Sequence, residues 1–212
     1  MVPFNVAEIG PGRYHRGTSG QLAAQDDAVL RAWQPVFARA GLPIDLHADL
    51  APVQWGKLLL NLNNPFNAVS GLPLRAQLLD RGFRRCHAAL IDEALAALHA
   101  AGIVPAAVAG VPPRRLPALL RLPTPLFRLL AARSLRIDGA ARSSMADDVA
   151  QGRRTEVDAL CGAVLRLAQQ HRVPAPRNAA MVRLLDGAWP APAPRLDARA
   201  LQAALGLAGD PA

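Results

Sequence analysis

Lysine is almost absent from this chain. Of 24 basic residues only Lys57 is a lysine, and the other 23 are arginines. Against that background a retained ammonium points to work that guanidinium cannot do, such as giving up a proton. Aromatic residues are scarce as well, at 4%. With the arginines scattered along the chain and no stacking motif beside them, the net charge of +8 does not describe a nucleic-acid interface. The two cysteines, Cys86 and Cys161, lack C-x-x-C spacing and fall in apolar helical patterns. That favours buried free thiols of a reducing cytoplasm over a disulfide, and no metal site is expected. No window approaches the ~18 uninterrupted apolar residues of a membrane span, and Met1 to Gly20 has no apolar core after a basic start, so neither a membrane nor a secretory signal is expected.

What is present is ample apolar material. Hydrophobic residues make up 51% of 212, enough for one large domain or for one domain plus a fragment of another. Residues 1–48 read as mixed α/β. Phe4 to Ile9 alternates loosely like a strand, Gly10-Pro11-Gly12 is a turn, and Arg13 to Thr18 returns as a second strand. Asp26 is placed to cap a helix carrying Val29, Leu30, Trp33, Val36 and Phe37, which Pro35 should bend or shorten. Gly41 ends it, and Leu42 to His47 is a short strand. Two or three strands and one helix cannot cover both faces of a sheet, so this stretch reads as the end of a larger α/β domain. Gly10-Pro11-Gly12 fails as a dinucleotide fingerprint, because it lacks the third glycine and precedes no helix.

From Asp49 onward helices dominate. Asp49 or Ala51-Pro52 opens a helix through Trp55 and Lys57. A long helix is expected over Arg75 to Ala101, burying Leu78, Leu79, Phe83, Cys86, Leu90, Ile91, Leu95 and Leu98 and stopping at Gly102. Prolines break Pro112 to Ile137 into short pieces. A helix starts within Ser143 to Asp148, and Thr155-Glu156-Val157-Asp158 has a capping pattern that begins another, running to about His171. Pro174-Ala175-Pro176 precedes a last helix near Asn178 to Leu185. Residues 188–212 form a loose Pro- and Ala-rich tail with one weakly helical patch at Ala198 to Leu207.

Two stretches can carry chemistry. In Trp55 to Asn67, Lys57 and Asn61 are four apart and share a helix face bordered by leucines. A snorkelling lysine and an asparagine at a helix end would look the same. Yet Asn61, Asn63, Asn64 and Asn67, all within seven residues, are poor helix formers in a helical context, a conflict that often marks a site. In Arg142 to Asp158, the hydroxyls of Ser143 and Ser144 could receive a carboxylate at a helix N-terminus or simply cap it. Glu156 could accept from a substrate hydroxyl, or merely complement the helix dipole.

Lys57-x-x-x-Asn61, followed some 85 residues later by Arg142-Ser143-Ser144-Met145 and Thr155-Glu156, resembles the C-terminal domain of ketopantoate reductase (2-dehydropantoate 2-reductase). Over about residues 1 to 186 the resemblance continues, and Phe4 to Thr18 is similar to the last strands of that family's Rossmann domain. It implies a mainly α fold of the 6-phosphogluconate-dehydrogenase-like type over residues 49–187, preceded in residues 1–48 by an α/β remnant of the nucleotide-binding domain. It implies reduction of a 2-oxo acid with NADPH, as in pantothenate and coenzyme A synthesis. Lys57 then matches the general acid, Asn61 and Ser144 the substrate contacts, with Ser144 on the carboxylate, and Glu156 the anchor for a substrate hydroxyl. For the next asparagine, Pro65 occupies the usual position; Asn67 fits best after a two-residue insertion, with Asn64 the alternative. The family's G-x-G-x-x-G loop precedes the position of Met1, so the chain is expected to lack the pyrophosphate site and to bind NADPH poorly alone. A homodimer is the candidate assembly. The competing reading is a non-catalytic helical module for oligomerisation or partner binding.

Overall fold

In the computed structural model the described residues are all but 3, 5, 17–20, 108–109, 133–134, 136–137, 140, 188–193 and 208–212. The outer parts of the expected return strand, of the proline-broken stretch and of the tail therefore lie outside them. Strands β1 (Val6–Gly10) and β2 (Arg13–Arg16) form the expected antiparallel hairpin. A second pair is parallel, β3 (Leu22–Gln25) beside β4 (Ile44–His47), joined through helix α1 (Ala28–Arg39). The sequence reading missed β3, whose Leu-Ala-Ala-Gln carries no β-branched or aromatic residue. Two expectations for α1 are corrected. The cap is Asp27, whose carboxylate accepts from Leu30 N at 2.9 Å, while Asp26 holds Arg31 in a two-pronged ion pair. The helix also runs on through Pro35 for its full 12 residues. No residue of α1 is buried, and Val29, Trp33 and Val36 face outward. One α/β layer this small has nothing to cover that face.

The helical part begins with α2 (Ala51–Asn61), started by Pro52 and by the Asp49 carboxylate on Ala51 N. After a two-residue turn comes α3 (Asn64–Ser70), nearly all of it buried. Gly71 ends α3 with φ +64, and a Cβ there would strike the Arg195 guanidinium packed on it. The single long helix expected from Arg75 is two helices, α4 (Leu74–Leu79) and α5 (Arg81–Ala100). Between them Asp80 is extended and caps α5 through Gly82 N at 2.7 Å. The expected apolar stripe holds on α5, where Phe83, Cys86, Leu90, Ile91 and Leu98 are buried. A 3₁₀ turn (Pro113–Arg115) and helices α6 (Leu116–Arg121) and α7 (Thr124–Leu130) are the short pieces set by the prolines. Then follow α8 (Ser144–Ala150), a π-helical stretch (Asp158–Gly162) continuing into α9 (Ala163–Gln170), and α10 (Pro176–Leu185). Residues 194–207 are not loose. Helix α11 (Ala198–Ala204) packs on α5 with Leu201 fully buried, and Leu196 N donates to Val69 O at the end of α3.

Two buried charges join these helices. Arg84 on α5 is 0% exposed and has no carboxylate partner among the described residues. Its guanidinium donates to Leu78 O, Leu79 O, Leu120 O and Leu122 O at 2.8–3.1 Å and to Thr124 Oγ1 at 3.2 Å, and lies 4.3 Å over the Phe127 ring. Those carbonyls belong to the ends of α4 and α6, where no intrahelical donor remains. Glu93, also on α5, accepts from Arg177 N and Asn178 N, both at 3.0 Å, and so neutralises the orphan donors that open α10.

Replacing Arg84 by Met leaves these helix ends without donors. At about 1–3 kcal/mol per stranded group, Arg84→Met should cost about 3–5 kcal/mol and lower Tm by roughly 10 °C. A Tm change under ~2 °C would show that the guanidinium does not hold α4, α6 and α7 to α5.

Candidate functional site

Helix α2 and the first residue of α3 build one stripe. Lys57, Leu60 and Asn61 stand at i, i+3 and i+4 of α2, on one face. The two turn residues keep right-handed helical angles (Leu62 φ −58, ψ −7; Asn63 φ −76, ψ −26), and Leu60 and Asn64 line the same cavity. Lys57 is half-buried, and its ammonium donates to the carbonyl of Val2, at the junction with the α/β part. Asn61 and Asn64 are half-buried, and their side-chain amides have no hydrogen-bond partner among the described residues. Asn63 is spent elsewhere, in a reciprocal amide pair with Gln77 at 3.0 and 3.1 Å.

Asn67 is not placed to touch a ligand. It is 0% exposed; its Nδ2 donates to Leu72 O, and its Oδ1 accepts from Ser143 N, both at 2.8 Å. With both ends of the amide committed to backbone, the expectation of a substrate contact at Asn67 gives way to Asn64. What Asn67 does is tie α3 to the entry of α8. There Ser143 is the cap, its Oγ accepting from Ala146 N at 3.2 Å. Ser144 is thereby left exposed with no hydrogen-bond partner among the described residues. Ser143 Oγ also lies 3.5 Å from Asn64 O, so the serine pair borders the stripe.

Glu156 is exposed, and no hydrogen bond or ion pair links it to the stripe among the described residues. The capping box expected at Thr155 does not form. The Thr155 hydroxyl is buried without a partner, and Asp158 is drawn instead to Arg166 at 2.9 and 3.0 Å. The first turn widens into the π-helical stretch, a local irregularity common near functional sites.

The cavity that shares Leu60 and Asn64 with the stripe has a volume of about 280 Å³. Helices α4 to α7 wall it, with Leu78, Leu116, Leu120 and Phe127 among the lining. His87 from α5 also lines it. Its Nε2 lies 3.1 Å from Leu59 O, its ring faces Phe66 at 6.0 Å, and its Nδ1 has no partner. Burial pushes its pKa down to about 4, so the ring is neutral. Neither His87 nor the cavity was singled out from the sequence; a histidine four residues before Ile91, inside a stripe of core positions, was the available signal. Burial also pushes the Cys86 thiol up to about 12 and raises that of Cys161, so both stay protonated, as free buried thiols.

Residues 49–188 match the family model described as ketopantoate reductase PanE/ApbA C terminal. The chain belongs to that family. It is 27% identical over 188 residues to a 2-dehydropantoate 2-reductase of Vibrio cholerae, covering 87% of this chain and 56% of the relative. It is similar in fold to a PanE/ApbA family ketopantoate reductase of Ralstonia eutropha, with TM-score 0.70, 24% identity, and coverage of 88% of this chain and 57% of that one. A D-mandelate dehydrogenase solved with NADH is similar at TM-score 0.67 and 16% identity, with coverage of 87% and 59%. The chain thus spans just over half the length of these relatives, and the mainly α fold of the family's C-terminal domain is the fold observed.

The described residues do not fit a dinucleotide. The only G-x-G stands in the hairpin turn between β1 and β2. The one strand-to-helix turn of a βαβ unit, between β3 and α1, carries Asp26 and Asp27, and Asp27 already occupies the helix N-terminus. Carboxylates there repel the pyrophosphate that such a turn would cradle.

Two measurements bear on this geometry. Asn67→Leu should cost about 2–3 kcal/mol by stranding Ser143 N and Leu72 O, and should loosen the 143–144 turn in amide exchange. Protection there equal to that of the parent would remove Asn67 as the tie. For His87, a folded pKa below the unfolded value of 6.5 means the unfolded chain takes the proton first. Stability is therefore fully present above about pH 6.5 and falls as pH drops toward 4, by roughly 3 kcal/mol. His87→Gln, which keeps a donor for Leu59 O, should remove that part of the slope in thermal scans at pH 7 and pH 4.5; an unchanged slope would place the acid sensitivity elsewhere.

Proposed function

We propose that this chain supplies the substrate-holding and acid half of a 2-oxo acid reduction, of 2-dehydropantoate to pantoate or of a close relative. The observation that carries the reading is the stripe. The sole lysine, two amides without partners among the described residues and, beside them, a hydroxyl freed by its neighbour's capping role are gathered around one helix. In the proposed reaction the carbonyl oxygen gains charge as it is reduced. The Lys57 ammonium stabilises that charge and delivers the proton, which an arginine could not do near neutral pH. Asn61 and Asn64 donate to substrate oxygens, Ser144 Oγ donates to the carboxylate, and Glu156 accepts from a substrate hydroxyl. Holding the 2-oxo acid at several points fixes the carbonyl against its reductant, and orientation is a large part of such a barrier.

NADPH is the reductant expected from the family, and the cytoplasm is the setting that fits it and the free thiols. No contact of this chain with the nucleotide is derived from the described residues. The outward apolar face of α1 favours a second reading, in which a further protein layer, from this polypeptide or from a homodimer partner, packs there.

The test is calorimetric titration of the protein with 2-dehydropantoate. Saturable binding is expected, weakened tenfold or more by Lys57→Ala and by Ser144→Ala. Lys57→Arg, which keeps the charge, should hold binding to within about threefold of the parent. Binding that ignores both substitutions, or is absent up to ~10 mM, overturns the reading.

A further inference from the structure

Helix α11 lies beyond residue 188, where the match to the family domain ends, yet its segment reaches back to the turn that orders the serine pair. We infer that residues 194–207 form a strap coupled to the substrate site. Docked, the strap holds the turn between α3 and α4 in the arrangement that frees Ser144; undocked, it releases that turn and weakens substrate binding. The inference rests on the proposed function for its ligand arm only.

Three observations support the coupling. First, the strap grips the turn itself. Val69 O stands in the last turn of α3, and the residue four on is Pro73, which has no N–H to give it. Leu196 N supplies the missing donor at 2.9 Å. Arg195 packs against Gly71, the left-handed residue that ends α3. On either side of these contacts the chain is tied to the entry of α8: Asn67 Oδ1 accepts from Ser143 N, and Leu74 N donates to Ala141 O, both at 2.8 Å. The strap therefore holds residues 69–71 from outside, between the two links that set the 141–144 segment.

Second, the strap is fastened at few points. Its helix has seven residues, too few to stand alone. Within residues 194–207 only Leu201 and Leu205 are buried, and Gln202 Nε2 adds a bond to Gly82 O at 3.2 Å. A unit held in this way opens at a lower free energy than the core it rests on.

Third, α5 is shaped to receive it. A Cβ on Gly82, in the first turn of α5, would stand 2.6 Å from the Cβ of Ala198 on α11. Carbon atoms do not approach so closely, while α5 by itself would be better served by alanine. Glycine at this position serves the docking of the strap rather than the helix that contains it.

Coupling has a reciprocal consequence. A strap that improves the substrate site when docked must itself be stabilised by bound substrate, by the same factor. A tail that only covers core surface would not respond to a ligand at the stripe.

The test is amide exchange on the whole chain, with and without saturating 2-dehydropantoate. In the parent the ligand should slow exchange of the Leu201 and Leu205 amides by about tenfold. Gly82→Ala and Leu201→Asp should each open α11 to exchange, with circular dichroism confirming the rest of the fold. Both should speed exchange of the Ser143 and Ala146 amides in the absence of ligand and weaken calorimetric affinity for 2-dehydropantoate, each by about tenfold. Should Leu201→Asp fail to fold, Gly82→Ala and the ligand response of the parent decide. Ser143 and Ala146 amides as protected as in the parent while α11 exchanges freely overturn the inference, and so does a ligand that binds without slowing α11. Failure of 2-dehydropantoate to bind the parent overturns the proposed function, and the ligand-free exchange at Ser143 and Ala146 still decides whether the strap sets the turn.

Discussion

One side-chain amide, that of Asn67, joins stretches 76 residues apart, and the arrangement of the site depends on it. Asn67 is buried because α3 is: Phe66, Ala68 and Val69 around it are core residues. In that surrounding an unmet amide would be expensive, so its Oδ1 fixes Ser143 N and its Nδ2 fixes Leu72 O. Ser143, held in place, caps α8, and that is why the hydroxyl of Ser144 is left over. The outer end of α3 is held by the tail, through Leu196 N on Val69 O and Arg195 against Gly71. An exposed serine is thus positioned by buried residues on a different helix.

How much of this could be read beforehand followed from how local its causes are. Periodicity is local, and it gave the stripe of α5, the opening of α2 at Pro52, and the chopped helices between prolines. A turn is local, and Gly10-Pro11-Gly12 closed the hairpin it signalled. The break at Asp80 is different: it accompanies the reach of Arg84 to the end of α4 and to Leu120 and Thr124, 36 and 40 residues on. A guanidinium 0% exposed with no carboxylate partner among the described residues violates every surface expectation for arginine, and nothing near residue 84 announces the distant carbonyls of Leu120 and Leu122. The cap at Thr155 failed for the same reason: Arg166, two turns on, captured Asp158. The tail docked because Leu201 found α5.

The asparagine cluster shows the division most sharply. The conflict of four asparagines with a helical context pointed to a candidate site, but did not say which amides the fold itself uses. Asn63 pairs with Gln77, Asn67 with backbone, and only Asn61 and Asn64 keep free amides among the described residues. Sequence spacing favoured Asn67, but burial commits its amide to backbone and leaves that of Asn64 as the free one. A polar residue in an apolar segment can be a ligand or a fastener, and the choice is made by partners that spacing does not encode.

The stripe also explains why a single lysine suffices. Its polar end meets the α/β part, where the ammonium already bonds the Val2 carbonyl, and its apolar end opens on the cavity. In the proposed reaction charge is therefore needed at one point only, where the carbonyl oxygen of a 2-oxo acid would lie. Arginines elsewhere do structural work, ending helices at Arg84 or pairing with Asp26, Asp158 and Asp186. For those tasks a permanently charged fork is the better group, and for proton delivery it is the worse one. Lys57→Arg keeps the charge and removes only the transferable proton. It therefore separates electrostatic holding of the acid from the chemistry done on it.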